Sequence, residues 1–199
     1  MTLDDVVRST PWIPEWHETG SCMDRRHILW LAKLLSSSGV KRTLEIGVYS
    51  GASSAAFVEA GVPDAHFSDI SPRPEFFRVV EGRGVFHRLK GCDVLLSKPR
   101  FDLVFVDGNH SLDAVEEEVA ALRKEPPAIV VAHDINSTVA GYGACEGAHF
   151  LWQELQRDGW FCVVDAKDRV GELTKRGMLV ATKHASAFQA ATRTLSEVL

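Results

Sequence analysis

The chain has 199 residues, 45% hydrophobic and 25% charged, the balance of a folded globular protein rather than of a disordered or fibrous one. A formal net charge of −5, with no basic stripe, argues against general attraction to nucleic-acid backbones. No apolar run is long enough to cross a bilayer, the N-terminal MTLDDVVRST is acidic, and Cys22, Cys92, Cys145 and Cys162 lie apart with no CxxC pair, so the expected setting is cytoplasmic and reducing, with no membrane and no nucleic-acid partner.

Length favours a single domain over 1–199, which divides by pattern into an N-terminal helical cap (1–40), an α/β core (41–182) and a tail (183–199). In the cap, Ile28, Leu31, Ala32 and Leu35 recur at helical spacing from about Met23, and the poor helix formers Ser36-Ser37-Ser38-Gly39 are expected to end that helix. Thr43 to Val48 reads as a buried strand, followed by a Gly/Ser turn and a helix from Ala52 to Ala60 stopped by Gly61 and Pro63. Short apolar strands recur at His66–Ile70, Val85–Leu89, Phe101–Val106 and Ala128–Ala132, with a helix at Leu112–Arg123 closed off by Pro126-Pro127. A helix at Phe150–Arg157 and a closing strand pair, Trp160–Val164 and Met178–Thr182, complete the core. This alternation predicts an α/β fold: a Rossmann-like, doubly wound, three-layer α/β/α arrangement whose sheet is mostly parallel with an antiparallel last strand. The alanine-rich tail from Lys183 is compatible with a helix but shows no partner in the sequence.

The first strand discharges into Glu45-Ile46-Gly47-Val48-Tyr49-Ser50-Gly51, where glycines let the backbone approach a ligand at a helix N-terminus. Three residues separate Gly47 from Gly51, so the G-x-G-x-x-G spacing of a dinucleotide site is absent and a dehydrogenase is disfavoured. An acid inside a strand is costly to bury, so Glu45 needs a hydrogen-bonding partner in a ligand or in the backbone. Asp69, at the end of the next strand, is placed to accept hydrogen bonds from the two hydroxyls of a ribose.

LEIGVYSGASS resembles the first motif of class I S-adenosylmethionine-dependent methyltransferases, and FDLVFVDGNHS followed by VVAHD resembles their later strand ends, over about Gly20 to Thr182. Among them the likeness is nearest to the small-molecule O-methyltransferases, a group that shades into metal-dependent catechol and macrolide types. The resemblance implies S-adenosylmethionine as cofactor. Glu45, Gly47, Tyr49, Ser50, Gly51 and Ser53 would surround its amino-acid part, Asp69 its ribose, and Cys92-Asp93 its adenine. Asp107 would border the same cofactor. It also implies a small-molecule acceptor. Ahead of the first helix, the aromatic cluster Pro11-Trp12-Ile13-Pro14-Glu15-Trp16-His17 is read first as packing, with a cap on the acceptor pocket or a homodimer interface as the alternatives.

Two polar clusters, Asp107-Gly108-Asn109-His110-Ser111 and His133-Asp134-Ile135-Asn136, end neighbouring strands and should share one crevice. Asp107 and Asp134, with His133 or Asn136, would bind a divalent cation such as Mg2+ and polarise a substrate hydroxyl, although the imidazole of His133 suits softer ions better. The metal-free alternative uses His133 or His110 as the base beside Asp107, with His133 preferred because it adjoins Asp134. His110 is equally compatible with a purely structural place at the start of the following helix. Ser111 reads as that helix's N-cap, and Asp113, Glu116 and Glu117 as a solvated face. The loop Ser137 to His149 is expected to select the substrate, through Tyr142, Glu146 and His149, while Trp30, Trp152 and Trp160 read as core. An N-methyltransferase on the same fold, or an accessory protein that binds the cofactor without turnover, are the alternatives.

Overall fold

Parallel strands covered on both faces are largely hydrophobic, as LVFV is throughout and IVVAH up to its last residue, while RTLEI buries the polar Thr43 and Glu45 beside Leu44 and Ile46. The computed structural model describes residues 3–11, 25–136, 146–167 and 173–198. In chain order the elements are α1 (Leu3–Ser9), α2 (Arg25–Ser38), β1 (Arg42–Ile46), α3 (Ala52–Glu59), β2 (Asp64–Ser68), α4 (Pro74–Val79), β3 (Val85–His87) and α5 (Gly91–Ser97). There follow β4 (Leu103–Val106), α6 (Leu112–Lys124), β5 (Ile129–His133), α7 (Glu146–Arg157), β6 (Phe161–Lys167), β7 (Leu173–Thr182) and α8 (Ala185–Ser196).

The strands form one sheet in the order β3-β2-β1-β4-β5-β7-β6. All neighbours are parallel except β7, which runs antiparallel to both β5 and β6. The expected Rossmann-like, doubly wound architecture is therefore present, with its antiparallel last strand inserted between β5 and β6. Strand order reverses between β1 and β4, so their C-terminal ends open the crevice in which folds of this type bind ligands.

Side chains alternate across the sheet into two cores. Phe105, Val131 and Met178 pack with α2 and α3 on one face, and Val104, Val130 and Leu179 with α5, α6 and α7 on the other. The described residues of the tail form α8, and Trp30 of α2 donates its indole N–H to Ala191 carbonyl and Thr194 hydroxyl. That supplies the partner the sequence did not reveal.

Several boundaries differ from the sequence-based expectation. Within the Ser36-Ser37-Ser38-Gly39 run it is the glycine that ends α2: the helix runs through Ser38, with Ser36 and Ser37 donating back to the carbonyls of Ala32 and Leu34, and Gly39 at φ +70° stops it. Residue 111 is the N-cap position of α6, but its hydroxyl makes no capping bond; its backbone N–H is instead accepted by the Asn109 side chain. Trp30 and Trp160 are core, whereas Trp152 is only half-buried. None of the described helices is long and apolar enough to cross a membrane.

Candidate functional site

The loops at the C-terminal ends of β1, β2, β4 and β5 surround a cavity of about 590 Å3. Gly47, Tyr49, Ser50, Ser53, Asp69, Cys92, Asp107, His110 and Asp134 all border it. Glu45, Gly51, Asp93 and His133 do not line that wall.

The β1–α3 loop is shaped by left-handed backbone at Gly47 (φ +85°), Tyr49 (φ +46°) and Gly51 (φ +96°). A Cβ on Gly47 would lie 2.3 Å from the Asp107 carbonyl oxygen, so only glycine lets this loop touch the end of β4. Tyr49 is a bulky residue in a region such residues seldom occupy. It is held by the Arg73 N–H donating to its carbonyl at 2.8 Å and by the Arg73 guanidinium 4.0 Å from its ring centre.

Asp69 clamps the same loop. One carboxylate oxygen accepts from the N–H groups of Val48 (3.0 Å) and Tyr49 (3.1 Å), and the other from that of Ser71 (2.7 Å). Glu45 is fully buried and accepts from the hydroxyls of Ser53 and Ser54, so its partners are side chains of α3 rather than a ligand or the backbone. Burial pushes its carboxyl up to about 8, despite the opposing serine hydrogen bonds.

At the ends of β4 and β5, His110 Nε2 lies 3.1 Å from Asp134 and 3.6 Å from Asp107. Burial alone would lower the His110 pKa, but the hydrogen bond to Asp134 and the charges of Asp107, Asp134 and Glu118 outweigh it and raise it. Burial likewise opposes ionisation of Asp134. The contacts with His110, His133 and Arg176 prevail and hold its carboxyl down at about 2. Asp134 has φ +58°, a left-handed conformation that Asp tolerates better than most residues, and its carboxylate accepts from Arg176 at 2.9 Å. Asp107, His110 and Asp134 bring one ligand atom each within 4.8 Å of one another. Of the expected metal set, His133 stands behind this group, its Nδ1 3.4 Å from Asp107 and 3.3 Å from Asp134. Asn136 donates to the Ala166 carbonyl instead.

Residues 44–135 match the family model described as a methyltransferase domain. Over these residues the chain is similar to a methyltransferase domain. The chain is similar in fold to an O-methyltransferase from Bacillus cereus solved with S-adenosylhomocysteine, with a TM-score of 0.66, 13% identity and coverage of 91% of this chain and 90% of that one. It is similarly related to the Podospora anserina methyltransferase solved with S-adenosylhomocysteine, at TM-score 0.68 and 17% identity, covering 90% and 87%. A third likeness is to a Streptomyces achromogenes O-methyltransferase involved in tomaymycin synthesis and solved with S-adenosylmethionine, at TM-score 0.64 and 18% identity, covering 92% and 89%. No curated protein matches the chain in sequence.

The cavity wall also contains residues that the sequence alone did not single out. Glu118 is buried in the cavity wall, one of its oxygens has no hydrogen-bond partner, and burial pushes its carboxyl up to about 7. A signal for it existed: Val115, Glu118, Val119 and Leu122 share the buried stripe of α6, so this acid of the run faces inward while Glu116 and Glu117 stay exposed. Arg176, which borders the cavity and pairs with Asp134, carried no comparable signal. Of the expected substrate loop, Tyr142 lies outside the described residues. Glu146 begins α7 in an exposed position, and His149 Nδ1 lies 3.3 Å from the Ile135 carbonyl. The N-terminal aromatics Trp12 and Trp16 also lie outside the described residues.

Proposed function

We propose that the chain transfers a methyl group from S-adenosylmethionine to a hydroxyl of a small molecule. The observation that carries this reading is that the Gly47–Gly51 loop and the Asp107, His110 and Asp134 side chains of a methyltransferase domain face one cavity. Its volume, about 590 Å3, falls within the roughly 300–1,000 Å3 of small-molecule sites.

The residues present fit the cofactor. A loop whose glycines bring its backbone close to the ligand lies beside acidic groups that suit a positively charged sulfonium. When bound, S-adenosylmethionine supplies a reactive methyl on sulfur, so the protein needs no nucleophile of its own and contributes positioning and exclusion of water. Ser50, Ser53 and Tyr49 would contact the amino-acid part, Asp69 the ribose and Cys92 the adenine, while Glu45 and Gly51 shape the loop from outside the cavity. Asp107 and His110 would receive the acceptor hydroxyl, Asp107 accepting its hydrogen bond and the Asp107–His133 pair taking its proton as the oxygen attacks.

The donor set of two carboxylates and an imidazole also suits a divalent cation of Mg2+ or transition-metal type. Asp107, His110 and Asp134 would hold it, and it would polarise the hydroxyl. We read the whole chain, cap and tail included, as one functional unit of this kind. The test is transfer of labelled methyl to a panel of hydroxylated small molecules and their amine counterparts. Label in methyl ethers, lost with Asp107→Asn, supports the reading; label in N-methyl products alone overturns hydroxyl transfer.

A further inference from the structure

A line of polar groups runs from the Asp107–Asp134 edge of the cavity across the α2-covered face of the sheet to Asp165 and Arg26. His133 of β5, Met178 of β7 and Asp165 of β6 lie in register across three adjacent strands. Met178 belongs to the core face covered by α2, and by alternation along β5 and β6, His133 and Asp165 point to the same face as Val131 and Val163. His27, on α2, bridges across Met178 between them. Its Nε2 lies 3.1 Å from Asp165 and its Nδ1 3.3 Å from His133 Nε2. Asp165 is in turn held by Arg26 at 2.8 and 2.9 Å through two nitrogens. His27 and His133 are 0% and 1% exposed, so water does not compete for these ring nitrogens.

The chemistry of the line sets its direction. An Arg26-paired Asp165 carboxylate only accepts hydrogen bonds, so His27 Nε2 carries the proton. In a neutral His27 the other nitrogen, Nδ1, is then a lone pair, and the His133 nitrogen facing it must donate. That leaves the Nδ1 of a neutral His133 as a lone pair. It is a buried atom with no hydrogen-bond partner, facing Asp107 and Asp134 at 3.4 and 3.3 Å. Three acceptors converging on one point create a seat for a proton or a cation.

The geometry points to Asp165 and His27 as positioning residues that fix the tautomer of His133, so that its Nδ1 lone pair is presented to the Asp107–Asp134 side of the cavity. The inference deepens the proposed function and rests on His133 and Asp107 working as a pair there. Such a carboxylate–imidazole–imidazole series performs from behind the sheet the orienting task that an outer-shell hydrogen bond performs for any histidine base or ligand.

The experiment reads the tautomer directly and needs neither cofactor nor acceptor. The full chain, labelled with 15N-histidine and treated with EDTA, is examined by long-range 1H–15N correlation at neutral pH, and the His133 ring is assigned by its loss in His133→Gln. The expected result is a protonated Nε2 and an unprotonated Nδ1 on His133 in the wild type. In Asp165→Asn and in His27→Phe, the Nδ1 resonance should shift toward the protonated position. A wild-type His133 protonated at Nδ1, alone or together with Nε2, overturns the proposal, as does an unchanged ring in a folded Asp165→Asn protein. Because no methyl transfer is measured, failure of the tautomer and failure of the methyltransferase reading give separate results.

Discussion

Gly47 and Asp107 touch backbone to backbone: a Cβ on Gly47 would meet the Asp107 carbonyl oxygen at 2.3 Å and the Gly108 Cα at 2.4 Å. Neither atom is the mobile end of a side chain, and the φ of +85° is itself unfavourable for any other residue. Gly47→Ala is therefore expected to separate the β1 and β4 loops. It should weaken binding of S-adenosylhomocysteine at least tenfold by calorimetry and lower Tm by several degrees. Wild-type affinity in this variant would contradict the close approach.

The Asp69 carboxylate organises the loop before any ligand arrives, through its bonds to Val48, Tyr49 and Ser71. Asp69→Ala strips three backbone N–H groups of their acceptor, at a cost of about 1–3 kcal/mol. Affinity for S-adenosylhomocysteine should fall more than global stability does, because the bonds to Tyr49 and Ser71 are exposed, where water replaces the lost acceptor, while the loop shape that borders the cavity is lost. Parallel calorimetry and thermal melts check this, and equal losses in both would show that Asp69 acts on the fold alone.

Glu45 makes stability depend on pH. Its folded-state carboxyl, pushed up to about 8 from an ordinary 4.5, binds its proton more tightly in the folded chain. The resulting stabilisation is full below pH 4.5 and is lost as pH rises through about 8. Glu118, raised to about 7, acts in the same direction. Glu45→Gln keeps a neutral group of the same shape and should flatten the fall in Tm between pH 5 and pH 8, by roughly 2–4 °C for each kcal/mol removed. Melts across that range test it, and an unchanged slope would be the contrary result.

Docking of the tail is testable through Trp30, which is fully buried and donates to both Ala191 and Thr194. Trp30→Phe removes the N–H that ties α2 to α8, while the Ala191 carbonyl keeps the Thr194 hydroxyl as a donor. The expected cost is about 0.5–1.5 kcal/mol, with faster amide exchange concentrated in α8. Exchange unchanged along α8 would mean that the tail is held by other contacts.

The parallel strands, the Gly47–Gly51 turn and the meeting of Asp107 with His110 and Asp134 were legible because each rests on local pattern: apolar runs, glycines between a strand and a helix, and acids at strand ends. Less legible was anything that depends on which face of an element turns inward. Glu45 reads as a ligand contact in sequence, yet two serines in the first turn of α3 satisfy it. His27 reads as one more residue of an amphipathic helix, and only the register of β5, β7 and β6 brings it between His133 and Asp165. Arg176 reaches Asp134 across 42 residues of chain, a pairing that no local pattern encodes.

Isothermal titration of the full chain with S-adenosylhomocysteine, with EDTA and then with added divalent metals, tests the central claim most directly. Saturable binding of one equivalent is the predicted result, with affinity lowered at least tenfold in Gly47→Ala. No binding under any of these conditions would contradict the account and leave the cavity without its cofactor.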